Sequence, residues 1–178
     1  MRAPKLVGGA LLVAATALAA CEAGVTPTAT ESPAIRAATV TINGVRLLER
    51  LPGRHLEAAA SALATVTPGS GGTVALADGS LSVPAGAVGE TVTITMEADP
   101  ELHAYAFGPS GLEFRSPATL TISVDEATLR DAGIDPDRLA VAGASDDEDD
   151  WTAIGGSYDD GAVTASLHHF SRYGLILR

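Results

Sequence analysis

Five consecutive acids, Asp146-Asp147-Glu148-Asp149-Asp150, form the densest group of potential ligands in the chain. Carboxylate oxygens are what a hard cation such as Ca²⁺ selects, and Asp146, Asp147, Asp149 and Asp150 are the residues that would hold one. The run lacks the spaced ligands and central glycine of an EF-hand loop, so a solvated loop between strands is the preferred reading. Its like charges would also discourage a foreign strand from pairing with a nearby sheet edge. His168 and His169 are adjacent, and neighbours on a strand point to opposite faces, which makes a poor metal site. Asp159-Asp160-Gly161 reads as a turn. The chain has no nucleophile elbow, no His-Glu-x-x-His and no phosphate-binding glycine loop. Its carboxylate pairs sit in turns, without the apolar pocket that glycoside hydrolysis requires. No cofactor is implied, and catalysis on an external substrate is not expected.

Cys21, the single cysteine, offers a different chemistry. Ahead of it stand basic Arg2 and Lys5, an apolar stretch from Leu6 to Ala17, and then Leu18-Ala19-Ala20-Cys21. This is the layout of a secretory signal, with an apolar stretch too short for a spanning helix. Leu-Ala-Ala-Cys resembles the bacterial lipobox, which implies cleavage before Cys21 and lipidation of its sulfur and new amino group. The alternative is an ordinary secreted chain whose cysteine happens to lie near the cleavage site. With no second cysteine there is no internal disulfide, so the exported fold must stand on packing alone. The expected address is the bacterial cell envelope, through acyl chains on Cys21. In enteric bacteria an aspartate after the cysteine signals inner-membrane retention; here Glu22 follows, which places the protein at the outer membrane where the host has two.

The chain carries 11 Lys+Arg against 22 Asp+Glu, a formal charge of −11. Loss of residues 1–20 removes Arg2 and Lys5 but no acid, which moves the charge to −13. Nucleic acid is captured by neutralising phosphates with Lys and Arg, so this balance argues against it. A polybasic grip on anionic lipid is equally unsupported, leaving the acyl chains as the membrane contact. The length suits one domain and a tether.

The elements that would position these groups are β-strands. Residues 21–37, from Cys21 through a Thr-, Ala- and Pro-rich stretch, lack periodicity and read as a flexible tether. Residues 38–69 are an N-terminal extension of mixed signals. Asn43-Gly44 joins two apolar runs as a hairpin would. The segment from His55 to Ala64 has the propensity of a short helix, ahead of a strand-like Thr65-Val66-Thr67. Pro68-Gly69-Ser70-Gly71-Gly72 then breaks the chain. Beyond Gly72, short β-rich runs recur at 73–76, 81–83, 91–96, 104–107, 118–124, 139–142, 151–154, 162–167 and 173–177. Thr91-Val92-Thr93-Ile94-Thr95-Met96 alternates hydroxyl and apolar residues, one face wet and one buried. Asp78-Gly79 and Asp160-Gly161 fit tight hairpins. Many short strands at this spacing predict an all-β antiparallel sandwich with at most one or two short helices. One such helix is expected after Asp125, which can cap it, with Leu129 inward and Gly133 as its stop. Trp151, the single tryptophan, is expected to plug the core with its indole N–H on a carbonyl.

In order along residues 70–178 come Gly71-Gly72-Thr73-Val74, Asp78-Gly79-Ser80-Leu81 and Val83-Pro84-Ala85-Gly86-Ala87-Val88. They are followed by Phe107-Gly108-Pro109-Ser110-Gly111-Leu112-Glu113-Phe114, Pro117-Ala118-Thr119-Leu120-Thr121-Ile122, Trp151 and His169-Phe170-Ser171-Arg172-Tyr173. Together these resemble a ZU5-like domain. The resemblance implies a β-sandwich whose ordinary task is protein–protein contact. It also implies one reaction, because in some ZU5-containing proteins the chain cuts itself within a His-Phe-Ser sequence near the domain's end. Carried across, Ser171 Oγ attacks the Phe170 carbonyl, His169 takes the hydroxyl proton, and water opens the resulting ester. Serine is a poor nucleophile, so the step requires a strained peptide and a stabilised oxyanion. The preferred reading of the same residues is architectural, with Phe170 in the core and its polar neighbours outward.

The expected function is therefore that of a lipid-anchored envelope protein whose ZU5-like sandwich binds a protein partner or serves as structural support. Self-cleavage between Phe170 and Ser171 is the alternative. A carbohydrate-binding sandwich ranks third, since it needs Trp151, Tyr105 and Tyr158 lined up on one exposed face.

Overall fold

The computed structural model describes residues 39–51, 53–145 and 150–178. In chain order the strands are β1 (Thr39–Ile42), β2 (Val45–Leu48), β3 (Ala60–Val66), β4 (Gly72–Leu76), β5 (Gly79–Val83), β6 (Val92–Ala98) and β7 (Ala104–Gly108). There follow β8 (Glu113–Ser123), β9 (Leu139–Ala144), β10 (Thr152–Gly155), β11 (Ser157–Asp159), β12 (Ala162–His169) and β13 (Arg172–Leu177). An eight-stranded sheet runs β1-β2-β13-β7-β6-β3, with β9 also on β13 and β10 on β9. A five-stranded sheet runs β11-β12-β8-β5-β4. Neighbours in both are antiparallel, so the molecule is the sandwich that the alternation predicts.

Period-2 patterning fills the space between the sheets. Leu81, Leu120, Ile122, Val163 and Leu167 of the smaller sheet meet Ile94, Met96, Tyr105, Phe107, Val141, Tyr173 and Leu175 of the larger. Each fully buried aliphatic side chain contributes roughly 1.5–3 kcal/mol. The larger sheet has a second buried face. There Ala140, Ala142 and Ala144 of β9 and Ile176 of β13 lie under Trp151, with Leu47 and Ala104. Small side chains at these positions leave room for the indole, and a Cβ on Gly174 would come within 3.4 Å of it. This explains why β9 is apolar almost throughout instead of alternating.

Two turns take the left-handed conformations that their residues permit: Asn43 and Gly44 have φ of 49° and 85°, and Asp160 and Gly161 have 44° and 82°. The hairpin near Asp78 is displaced by one residue from expectation, because Leu76 pairs Gly79 and Ala77-Asp78 form the loop. The short helix, α1 (Glu126–Asp131), is capped by the Asp125 side chain accepting from Thr128 N–H at 2.9 Å. Leu129 is fully buried and Gly133, at φ 69°, ends it.

The helix expected over 55–64 does not form. Residues 60–66 are instead strand β3, paired with β6 along its whole length. Alanine's helix propensity is worth only a few tenths of a kcal/mol per residue over the alternatives, and a ten-residue helix is marginal alone. A seven-residue ladder with Ala62 and Ala64 against the core outweighs it. Strand β8 begins at Glu113 and runs through Pro117, which the expected 118–124 run left out. The pairing of β12 jumps from Leu167–Ala118 to His169–Glu113, so Pro117 falls where the ladder is interrupted.

Candidate functional site

The His169-Phe170-Ser171 segment is the link by which the chain leaves the smaller sheet at the end of β12 and enters the larger at β13. Phe170 is buried, stacked on Phe107 at 5.7 Å between centroids and edge-on to Phe114 at 5.0 Å. All three phenylalanines of the chain thus meet at this junction. The Phe170 N–H donates to Leu112 O at 2.8 Å, and Ser171 O accepts from Phe107 N–H at 3.2 Å. Ser171 is 5 % exposed, and its hydroxyl donates to Ala144 O on β9. His169 is exposed, with Nδ1 3.3 Å from Phe170 O. Tyr173 donates from its hydroxyl to His169 O at 2.7 Å. Histidine is therefore brought to the carbonyl oxygen, while the serine proton is directed to a backbone acceptor on another strand. Attack on Phe170 would require Ser171 Oγ to leave that acceptor and turn onto the carbonyl carbon.

Of the acidic run, Asp146, Asp147 and Asp149 lie outside the described residues, as does Cys21. Asp150 is exposed at the entry to β10. Among the described residues, no group of three or more His, Cys, Asp or Glu side chains is placed to hold a metal ion. Trp151 and Tyr105 are buried, so they make no exposed aromatic row with Tyr158. Trp151 Nε1 has no hydrogen-bond partner, contrary to expectation, and Arg172 lies 5.5 Å over the indole face instead.

The sequence reading missed a buried ionic cluster. Asp78, at the tip of the β4–β5 hairpin, reaches out of the smaller sheet toward Arg50, His103 and Tyr105. Arg50 Nη1 meets Asp78 Oδ1 at 2.8 Å, and the Tyr105 hydroxyl donates to the same oxygen. His103 Nδ1 lies 2.9 Å from Asp78 Oδ2. Its Nε2 accepts from Leu51 N–H at 3.3 Å, which assigns the ring proton to the Asp78 side. Arg50 Nε donates to Asp99 O at 2.7 Å, and the guanidinium lies 5.6 Å over the Tyr105 ring. Burial pushes the Asp78 carboxyl up, but donors from His103, Tyr105 and Arg50 outweigh it and hold the group well below the carboxylate range. Burial and then the Asp78 acceptor push the Tyr105 phenol well above its ordinary value. Gly79 makes the approach feasible, since a Cβ there would overlap the Tyr105 ring and come within 2.8 Å of Met96. The only sequence signal was Glu49-Arg50 standing between Leu47-Leu48 and Leu51, two charges interrupting an apolar run.

Two clefts open on the β10 side of the sandwich. One, of about 570 Å³, is lined by Ile154, Ser157, Thr164, Ser166, His169 and Tyr173 among others. The second, of about 440 Å³, shares Ile154, His169 and Tyr173 with it and adds Ser110, Asp150 and Ser171. Ile154 is 45 % exposed. Neither protein-family models nor curated proteins match this chain. The site is accordingly read from its own chemistry.

Proposed function

We propose that this chain is a lipoprotein of the bacterial cell envelope, anchored through Cys21, whose ZU5-like sandwich captures a protein partner along β10. The observation that carries this reading is Ile154, an exposed aliphatic side chain bordering both clefts. It stands on an edge strand that pairs only with β9 among the described residues. Such an edge offers N–H and C=O groups to an extended peptide, while the flanking clefts accept its side chains. Asp150 beside the cleft and the acidic balance of the chain favour a partner segment carrying Lys or Arg. A photo-crosslinking residue at Thr152 of the full chain, expressed in cells, should yield one discrete adduct. Ile154→Arg should reduce that adduct about tenfold or more, in line with loss of a buried anchor worth at least about 1.4 kcal/mol. No adduct, or one indifferent to Ile154→Arg, would refute partner capture at this edge.

A second reading, self-cleavage at Phe170-Ser171, is favoured by one contact, His169 Nδ1 at 3.3 Å from the Phe170 carbonyl oxygen. The hydrogen bond of Ser171 to Ala144 O counts against it. Intact mass spectrometry of the protein extracted from membranes separates the two readings. The expected species begins at an acylated Cys21 and retains Ser171–Arg178. Loss of that C-terminal segment, abolished by Ser171→Ala, would establish cleavage; an unacylated chain would remove the anchor.

A further inference from the structure

Strand β7 lies between β6 and β13, and its residues alternate in size. Tyr105 and Phe107 enter the core between the sheets, so Ala104, Ala106 and Gly108 line the opposite face. Small residues on a strand flanked by larger ones leave a trough along β7. Register sets the row across its middle, where Ala106 stands beside Glu97 of β6 on one side and Arg172 of β13 on the other. An acid and a base therefore border one trough, two strand spacings or roughly 10 Å apart at the backbone, with a single methyl group between them. At one end the trough deepens into a cleft of about 420 Å³, bordered by Ile42, Pro100, Leu102 and Trp151 around Ala104. At the other it continues as a cleft of about 320 Å³ past Thr95, Gly108 and Ser110. Glu97, Ala106 and Arg172 belong to both. Arg172 is held in place, since its Nε and Nη2 donate to Ser145 O at 3.4 and 3.2 Å and its guanidinium lies over the Trp151 ring. Glu97 is exposed.

We propose that this trough binds a free apolar α-amino acid, with its ammonium on Glu97, its carboxylate on Arg172 and its side chain in the recess beside Trp151. The ligand class follows from the three kinds of contact. A plain cation meets repulsion from Arg172, and a plain anion meets it from Glu97 and from the acidic balance of the whole chain. A zwitterion satisfies both charges at once, and charge-assisted hydrogen bonds of this kind are the stronger ones. The spacing of one alanine between acid and base suits charges carried on a single carbon atom, not the distant ends of a peptide. The recess of Ile42, Pro100, Leu102 and Trp151 then calls for an apolar side chain. Its Trp151 wall also holds Nε1, a buried donor without an acceptor among the described residues, whose desolvation an incoming carboxylate would offset. Small-molecule sites are apolar clefts of about 300–1,000 Å³ with a few polar groups that fix orientation, and the deeper cleft lies at the small end of that range. None of the residues lining it lines the clefts along β10, so the site is independent of partner capture at that edge.

The test is isothermal titration calorimetry of the full chain with L-leucine and with L-phenylalanine. Trp151 emission is a second readout, because the only tryptophan lines the cleft. At least one of the two should bind with a Kd of about 1 mM or tighter and shift the emission. For the tighter of them, the amide, which lacks the carboxylate, and the des-amino acid, which lacks the ammonium, should each bind about tenfold or more weakly. Glycine, which lacks the side chain, should also bind about tenfold or more weakly. Glu97→Gln changes an exposed position and should weaken binding about tenfold or more at an unchanged urea midpoint. Arg172→Gln should weaken it at least as much. The proposal is overturned if neither amino acid binds, or if the amide or the des-amino acid binds as tightly as the amino acid itself. It is equally overturned if Glu97→Gln binds as the wild type does.

Discussion

Asp78 shows how one side chain can serve two structures. Its backbone belongs to a hairpin tip, and its carboxylate is the acceptor at the centre of a buried ionic cluster. A carboxylate removed from water is tolerable only when its charge is compensated, and here Arg50 and the Tyr105 hydroxyl both hold Oδ1, while Oδ2 makes no aligned hydrogen bond and is met by His103 Nδ1 at 2.9 Å. Removing the charge strands Arg50 as an uncompensated buried cation, so Asp78→Asn should lose about 3–5 kcal/mol at neutral pH. The folded carboxyl has its pKa held below the ordinary 3.8. Its stabilisation is therefore complete above that value, declines as pH falls below it, and is gone once pH passes the folded value. The stability gap between wild type and Asp78→Asn should accordingly stay constant from pH 7 to about pH 5 and then close by up to about 1.4 kcal/mol per unit below pH 3.8. Urea denaturation at a series of pH values measures this gap. Curves that remain parallel down to pH 3 would mean that the carboxylate carries no such role.

Elements that alternate openly were legible, and elements whose signal was overridden by tertiary context were not. Strand β6 declared itself by hydroxyl and apolar residues in strict alternation. The hairpins at Asn43-Gly44 and Asp160-Gly161 did so through residues that tolerate positive φ. Strand β3 was hidden because Ala-rich composition favours helix locally, and nothing in the segment itself reveals the β6 partner some thirty residues away. The stretch 113–117 was hidden by Pro117, which forbids a regular ladder but not an interrupted one. At the candidate site, Ile154 was legible only as an apolar residue in a short strand. Its exposure follows from β10 being last in its sheet, which is a property of topology. The ionic cluster was least legible of all, since Arg50, Asp78 and His103 are each separated by more than twenty residues and carry no shared motif.

At the scale of the whole molecule, residues 70–178 do not contain all of their own sandwich. Residues 39–66 supply three strands, with β2 on β13 and β3 on β6. They also supply Arg50, whose backbone N–H docks on Glu101 O at 2.6 Å and whose side chain answers Asp78. Cutting the chain at residue 70 would uncover Ile94 and Met96 on β6 beside β3, uncover Leu175 beside β2, and leave Asp78 buried against Tyr105 without its cation. Several buried aliphatic groups at roughly 1.5–3 kcal/mol each, together with a broken buried ion pair, exceed the whole net stability of about 5–15 kcal/mol typical of a domain. A chain of residues 70–178 should therefore show no cooperative unfolding transition. One of residues 33–178 should unfold in a single transition, as should the full chain. Trp151 reports on both, because it is the only tryptophan and packs on β9 and β13, which both chains keep, as well as on Leu47 of β2, which the shorter chain lacks. Red-shifted emission and a flat urea profile are expected from the shorter chain alone. A cooperative transition in residues 70–178 would make the N-terminal strands an appendage and confine the folding unit to those residues.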